Sequence, residues 1–105
     1  ENNRGPVQVG KLSIDLTQRR ATYDGKQIPL TGTELSLLEM LARSAGSPVP
    51  KADIYPRILG RPMGRYDRAI DVHISAIRHK LAQEGVEDIA IESVRGVGYQ
   101  LVRLS

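Results

Sequence analysis

At the N-terminal end of the chain, apolar and polar positions alternate with a period of two. Val7 and Val9, then Leu12, Ile14 and Leu16, form two groups in which single polar residues intervene, the pattern of short strands with one buried face. Tyr23-Asp-Gly-Lys26 comes next. Asp-Gly readily takes the positive φ values of a type I′ turn, so this stretch predicts a hairpin with arms Arg20–Tyr23 and Gln27–Leu30. Pro29 has no amide hydrogen and is confined to an edge or a strand end. The pattern predicts an antiparallel sheet of three or four short strands.

Beyond Leu30 the period changes. Thr31-Gly-Thr-Glu34 has the form of a capping box, ahead of a helix over Leu35–Ala45 that is apolar around most of its circumference. Such a helix belongs between the sheet and other helices. Gly46 ends it, and Ser47-Pro-Val-Pro50 reads as an extended connector. A shorter helix is expected over Lys51–Leu59 with Ile54, Ile58 and Tyr55 inward, bent or shortened by Pro56. The Gly60–Tyr66 loop leads to Asp67, placed to cap a third helix that ends at Gly85. Two strands, Ile89–Val94 and Tyr99–Val102, then flank Arg95-Gly-Val-Gly98. The order sheet, helix, helix, helix, hairpin predicts an α+β winged helix: a helix-turn-helix with a β-hairpin wing beside its last helix.

The third helix organises the rest. Ile70, Ile74, Ile77 and Leu81 fall on one narrow stripe, the i, i+4, i+7, i+11 spacing of an amphipathic helix. The opposite stripe holds Arg68, Val72, Ser75, Ala76 and His79, with His73, Arg78 and Lys80 on the flanks and the acids Asp67 and Asp71 near the N-terminal end. A small, uncharged or basic outer face suits a DNA major groove, where small residues permit close approach and basic flanks meet phosphates. It is equally the pattern of a core helix with a polar solvent side. Between Arg61 and Lys80 there are five Lys or Arg and two His against two Asp, and this local basic excess on a helix-turn-helix order favours phosphate contact.

Composition narrows the field. A chain of 105 residues, 40% apolar and 26% charged, is the size and make-up of one globular domain, expected over residues 7–105 after a linker-like segment 1–6 (ENNRGP). A start without Met suggests a fragment of a longer protein. With no Phe or Trp and four Tyr, the core must be aliphatic. The absence of Cys excludes disulfides and thiolate metal sites. No run reaches the ~18 apolar residues of a membrane span and no signal pattern opens the chain, so a cytoplasmic protein without membrane partners is expected. The formal charge of +3 permits a nucleic-acid partner without requiring one.

Catalytic and metal chemistry find little support. Asp71, His73 and Ser75 are neighbours two apart on a helix and point to different faces. His73 and His79 have no third partner, and Gly96-Val-Gly98 lies between two strands, unlike a dinucleotide fingerprint. No enzyme, metal or cofactor is expected. Arg95, beside Gly at a hairpin tip, reads either as a solvated turn residue or, in a wing beside a groove-binding helix, as an arginine that enters the minor groove, where the potential is most negative; the helix before it favours the second. Tyr99 reads either as a core residue or as a hydroxyl reaching a phosphate.

Leu30-Thr-Gly-Thr-Glu-Leu-Ser-Leu-Leu38, Asp67-Arg-Ala-Ile-Asp-Val-His-Ile74 and Val94-Arg-Gly-Val-Gly-Tyr99, in that order, resemble the effector domain of OmpR/PhoB-type response regulators from about Val7 to Val102. The resemblance implies a four-stranded N-terminal sheet, three helices and a C-terminal wing. It implies sequence-specific binding of double-stranded DNA at tandem half-sites to control transcription. Also implied are a receiver domain elsewhere in the protein, a sensor histidine kinase that phosphorylates it, and RNA polymerase as a further partner. By motif position, Lys51, Arg68, His73 and Arg78 would touch phosphates and Val72, Ser75 and Ala76 would face bases. Arg95 would enter the minor groove, and the Gly60–Tyr66 loop, with Arg61, Pro62, Met63 and Arg65, would face the polymerase. The chain departs from the family at Ser75 and Ala76, where some members carry Arg-Arg, at Leu59, where Trp is frequent, and at Pro50 and Pro56. The isolated domain is expected to be a monomer. The rivals are a winged helix that docks a protein on its third helix and a membrane-anchored or receiver-free activator with the same effector domain.

Overall fold

A computed structural model describes residues 5–104. Four antiparallel strands, β1 (Val7–Val9), β2 (Leu12–Asp15), β3 (Arg20–Tyr23) and β4 (Lys26–Ile28), pair in sequence order. The β3–β4 hairpin turns on Asp24 and Gly25, both at positive φ (53° and 86°), as a type I′ turn requires. The register sets Leu12 opposite Tyr23 and Ile14 opposite Ala21, so the buried face of the sheet is continuous across the strands. Leu16 departs from the alternation: it is 40% exposed. Asp15 Oδ1 accepts the amides of Thr17 and Gln18 at 3.0 and 3.2 Å, which folds the chain away from the sheet before Leu16 can join it. Of the linker-like segment 1–6, residues 1–4 lie outside the described residues; the Gly5 carbonyl accepts from Arg43 Nη2 at 2.7 Å.

Helix α1 (Gly32–Arg43) starts three residues ahead of the expected Leu35 because the capping box takes Gly32 as the first helical position. Thr31 Oγ1 accepts the Glu34 amide at 3.2 Å, and Glu34 Oε1 accepts the Thr31 amide at 3.0 Å. Leu35, Leu37, Leu38 and Leu41 are buried, and the helix lies against β1, β2 and the third helix.

The connector after α1 is more than extended chain. Val49–Pro50 forms a strand, β5, paired with the last strand of the molecule. Helix α2 (Lys51–Ile54) then widens into a π turn over Tyr55–Leu59, closed at Gly60 (φ 73°) by a bond from the Gly60 amide to the Pro56 carbonyl at 3.0 Å. Pro56 has no hydrogen to give to an α-type bond, and the backbone absorbs the loss by widening rather than stopping. Ile54 and Tyr55 are fully buried, and Ile58 is half-buried.

Helix α3 runs from Ala69 to Gln83, and β6 (Ile89–Val94) and β7 (Gly98–Arg103) form the terminal hairpin. The second sheet has the order β5-β7-β6. Gly85 (φ 74°) ends α3 in a Schellman motif, with the Val86 amide on the Leu81 carbonyl at 3.0 Å and the Gly85 amide on the Ala82 carbonyl at 3.1 Å. Ile70, Ile74, Ile77 and Leu81 are all buried, as the stripe predicts. The fold is the expected α+β winged helix, and its core, aliphatic apart from Tyr55 and Tyr99, holds α3 with one face free.

Candidate nucleic-acid interface

The N-terminal end of α3 is held by more groups than the sequence indicates. Arg68, not Asp67, is the N-cap. Asp67 stands one residue earlier, and its Oδ1 accepts the Ala69 amide at 3.1 Å while Oδ2 accepts the Gly64 amide at 3.0 Å. Arg61 pairs with the same carboxylate. That guanidinium, with the two amides, holds the Asp67 carboxyl far below the ordinary carboxylate range. The buried Tyr55 hydroxyl donates to the Asp67 carbonyl at 3.1 Å and accepts the Ile70 amide at 3.3 Å. The loop before α3 and the π turn that follows α2 therefore aim its first turn.

The outward face of α3 carries the predicted residues. Val72 is 64% exposed, a large apolar side chain with nothing over it. Arg68, Ser75 and His79 are exposed; Ala76 and His73 are half-buried at the margins. Beside this face stands the β6–β7 wing. Its turn is closed by the Val97 amide on the Val94 carbonyl at 2.9 Å, with Gly96 at φ 76°, a conformation that L side chains rarely adopt. Arg95 sits at the exposed tip and, among the described residues, has no ion-pair partner. Gly98 is required for a different reason. A Cβ there would fall 2.1 Å from the Val49 carbonyl oxygen and 2.9 Å from the Lys51 amide nitrogen, so the base of the wing presses directly on the start of α2.

Several predicted phosphate ligands have other engagements. The Tyr99 ring is buried and its hydroxyl donates to Asp71 Oδ1; burial together with the neighbouring Asp71 carboxylate pushes its pKa up to about 12. The ring takes its place in the core, and the hydroxyl is engaged within the protein by Asp71. Arg78 donates Nε and Nη2 to the Ile91 carbonyl at 3.0 and 2.7 Å, and Nη2 also reaches Ser93 Oγ at 3.3 Å, leaving Nη1 without a hydrogen-bond partner among the described residues. Lys51 Nζ lies 3.1 Å from Asp71 Oδ1 and 5.5 Å from the Tyr99 ring centre. Burial pushes the Asp71 carboxyl up, but the hydrogen bonds from Tyr99 and Lys51 and the charges of Lys51 and Arg68 outweigh it, and the net shift is downward.

Lys80, on the flank of α3, reaches Glu34 Oε1 at 2.6 Å. Burial raises the Glu34 carboxyl, yet Lys80 and the Thr31 amide more than offset it, so Glu34 also titrates below its usual value. The basic excess of the Arg61–Lys80 stretch is thus partly consumed inside the protein, by Asp67, Ile91 and Glu34. Arg61, Pro62, Met63 and Arg65 are exposed, with Arg61 over the Tyr55 ring and Arg65 over the Tyr66 ring. Sequence reasoning gave Asp71 no bonding partner and Glu34 only its capping bond to Thr31, because Tyr99, Lys51 and Lys80 lie across the fold. It also left Tyr66 without a role; that residue is 89% exposed at φ 56° in the loop before α3.

Among the described residues, no three His, Cys, Asp or Glu side chains gather as a metal site, and no helix is long and apolar enough to cross a membrane.

Comparison with known proteins agrees with the geometry. The family described as transcriptional regulatory protein, C terminal, matches residues 25–101. The transcriptional regulatory protein CpxR of Escherichia coli (strain K12) is 34% identical over 105 residues, covering 100% of this chain and 45% of its own length. A probable transcriptional regulator, ycf27, of Cyanophora paradoxa is 39% identical over 95 residues, 89% of this chain and 40% of its own. The chain therefore spans less than half the length of these relatives. Among solved structures, the DNA-binding domain of CpxR from E. coli superimposes with a TM-score of 0.83 at 33% identity, covering 95% of this chain and 98% of that one. The DNA-binding domain of RstA from Klebsiella pneumoniae, in complex with the RstA box, gives 0.81 at 29% identity, with 92% and 96% covered. Fold, motifs and relatives agree that this chain belongs to the C-terminal DNA-binding domains of OmpR/PhoB-type response regulators.

Proposed function

We propose that the domain binds specific duplex DNA with α3 in the major groove and Arg95 in the adjoining minor groove. The observation that carries this reading is the outward stripe of α3. Val72 and its small or polar neighbours are left uncovered, flanked by Arg68 and beside a wing carrying Arg95, neither of which has an ion-pair partner among the described residues. Ordinary solvent-facing helices carry long charged side chains there; a groove-reading helix needs small ones. Val72, Ser75, Ala76 and His79 face the bases, with Ala76 suited to a thymine methyl. Arg68, His73 and Lys51 meet phosphates, Lys51 by exchanging part of its contact with Asp71. Arg78 and Tyr99 act through the protein, positioning the wing. The related RstA domain, solved with its RstA box, supports a DNA ligand for the same fold.

Family membership supports the wider setting. In the full-length regulator, a receiver domain phosphorylated by a sensor histidine kinase brings two such domains onto tandem half-sites, in the cytoplasm. The exposed Arg61, Pro62, Met63 and Arg65 of the loop before α3 face RNA polymerase. Alone, the domain is a monomer.

Selection from a random duplex library, followed by salt titration of the winning sequence against a scrambled one, tests the reading. A reproducible motif and a log–log salt slope of roughly −3 to −6 are expected, about one unit per neutralised phosphate. Weak binding indifferent to sequence overturns it and redirects attention to a protein partner for the Val72 face.

A further inference from the structure

We infer that Asp71 is a positioning residue for DNA readout: by gripping Tyr99 of the wing and Lys51 of α2 together, it fixes the wing's angle to α3. Resting on the reading of α3 and the wing as the DNA-contacting surfaces, the assignment gives this carboxylate a role that an acid so near phosphates otherwise lacks. In the first turn of a helix, Asp is favourable through the helix dipole alone, and for that role it can point into solvent. Asp71 does not; its side chain is only 18% exposed and turns toward β7 and α2.

Its two partners sit on different elements. Tyr99 belongs to β7 and Lys51 opens α2, and the Tyr99 ring lies between Lys51 at 5.5 Å and Arg78 at 5.8 Å. Arg78, two turns along α3, holds the other wing strand through the Ile91 carbonyl and Ser93. Each arm of the hairpin is thus tied to α3 by one side chain. The third tie is backbone: the Lys51 amide donates to the Val97 carbonyl at 2.9 Å, and Gly98 leaves no room for a Cβ against Val49. The base of the wing is clamped while Arg95, Gly96 and Val97 at its tip stay exposed. Asp71 is the one carboxylate in this clamp, and its oxygen receives both a hydroxyl and an ammonium. The clamp sets how far Arg95 stands from the bases under Val72 and Ser75.

The cysteine-free chain allows paired spin labels at Gln83→Cys on α3 and Val97→Cys on the wing. In Tyr99→Phe, which keeps the ring and removes the hydroxyl, and in Asp71→Ala, the distance distribution should broaden or shift in the free protein. Asp71→Asn, which still accepts from Tyr99, should restore part of it. Unchanged distributions in Tyr99→Phe and Asp71→Ala overturn the positioning role. On selected DNA, Arg95→Ala should cost at least about threefold less affinity in the Asp71→Ala background than in the parent, because contacting residues that act as a unit are not additive. Additive costs overturn it as well. If Arg95→Ala has no effect in the parent, the wing contact proposed above fails instead, and the label distances alone judge the clamp.

Discussion

The two faces of α3 are built from similar numbers of residues on one helix and follow opposite rules. The inward face is four large aliphatic side chains at 0–5% exposure, locked by α1 and the sheets around it. The outward face is short and chemically mixed, and among the described residues it is fixed only at its edges, where Lys80, Arg78 and Asp71 are tied back to Glu34, Ile91 and Tyr99. Stability resides on one side and, in the reading proposed above, recognition on the other, with the tethered charges at the border belonging to both. A helix in this position can change what it reads without changing how it folds, as long as the border residues hold.

The sharpest way to break that division is to put a charge on the wrong side. Ile74→Asp places an unpaired carboxylate where the parent side chain is 1% exposed, and should cost more than about 4 kcal/mol, enough to unfold a domain of this size. Urea unfolding followed by circular dichroism checks it; a cooperatively folded Ile74→Asp protein would mean that the helix faces the other way. Val72→Asp, two residues before it, should change stability by no more than about 0.5 kcal/mol while removing DNA binding through repulsion.

The border gives the next largest effect, and it depends on pH. Glu34 caps α1 and accepts Lys80 from α3. Its folded pKa lies below the ordinary glutamate value of 4.5, so the ionised form favours the folded state. The stabilisation is fully present above pH 4.5 and is lost as the pH falls through the folded value. Asp67 and Asp71 are lowered too and act in the same direction. Glu34→Gln should lower stability at pH 7 by about 1–2 kcal/mol and should flatten, without abolishing, the decline of the melting temperature below pH 4.5. An acid profile identical to the parent's would show that Glu34 is not held ionised by Lys80.

The same contrast explains what could be read from the chain in advance. The inward stripe of α3, the capping box at Thr31 and the Asp24-Gly25 turn are local patterns, and each formed as its spacing or turn chemistry dictates. What local pattern could not supply was pairing across the fold. Ser47–Pro50 read as a connector because nothing near it announces that Val49 meets Tyr99. The internal partners of Arg78 and Tyr99, Ile91 and Asp71, could not be read in advance because they lie 13 and 28 residues away in sequence. Pro56 signalled trouble for α2, but whether a helix breaks, kinks or widens depends on the packing of Ile54 and Tyr55. The outward face was legible as a surface with an unusual composition; which of its bases stay free was not.

The outward arginines should separate affinity from stability. Arg68→Ala and Arg95→Ala should each weaken binding to selected DNA by about 5- to 30-fold and reduce the salt slope by about one unit. Their melting temperatures should stay at the parent value, since both side chains are exposed and Arg95 has no ion pair among the described residues. A variant that binds as tightly as the parent would remove that arginine from the interface.

The smallest effect on stability should accompany the most specific effect on function. Ala76 is half-buried at the margin of the outward face, and the next residue, Ile77, is fully buried. Ala76→Arg adds a guanidinium long enough to reach past the margin and shaped to bond a guanine edge with two parallel hydrogen bonds. Its stability should remain within about 0.5 kcal/mol of the parent, while library selection should yield guanine at one position that the parent does not prefer. The alternative outcomes are equally informative about the helix. An unchanged motif would shrink the reading face to Val72, Ser75 and His79, moving its centre toward the wing. A destabilised protein would place position 76 with Ile77 on the inward side, narrowing the face from the other edge.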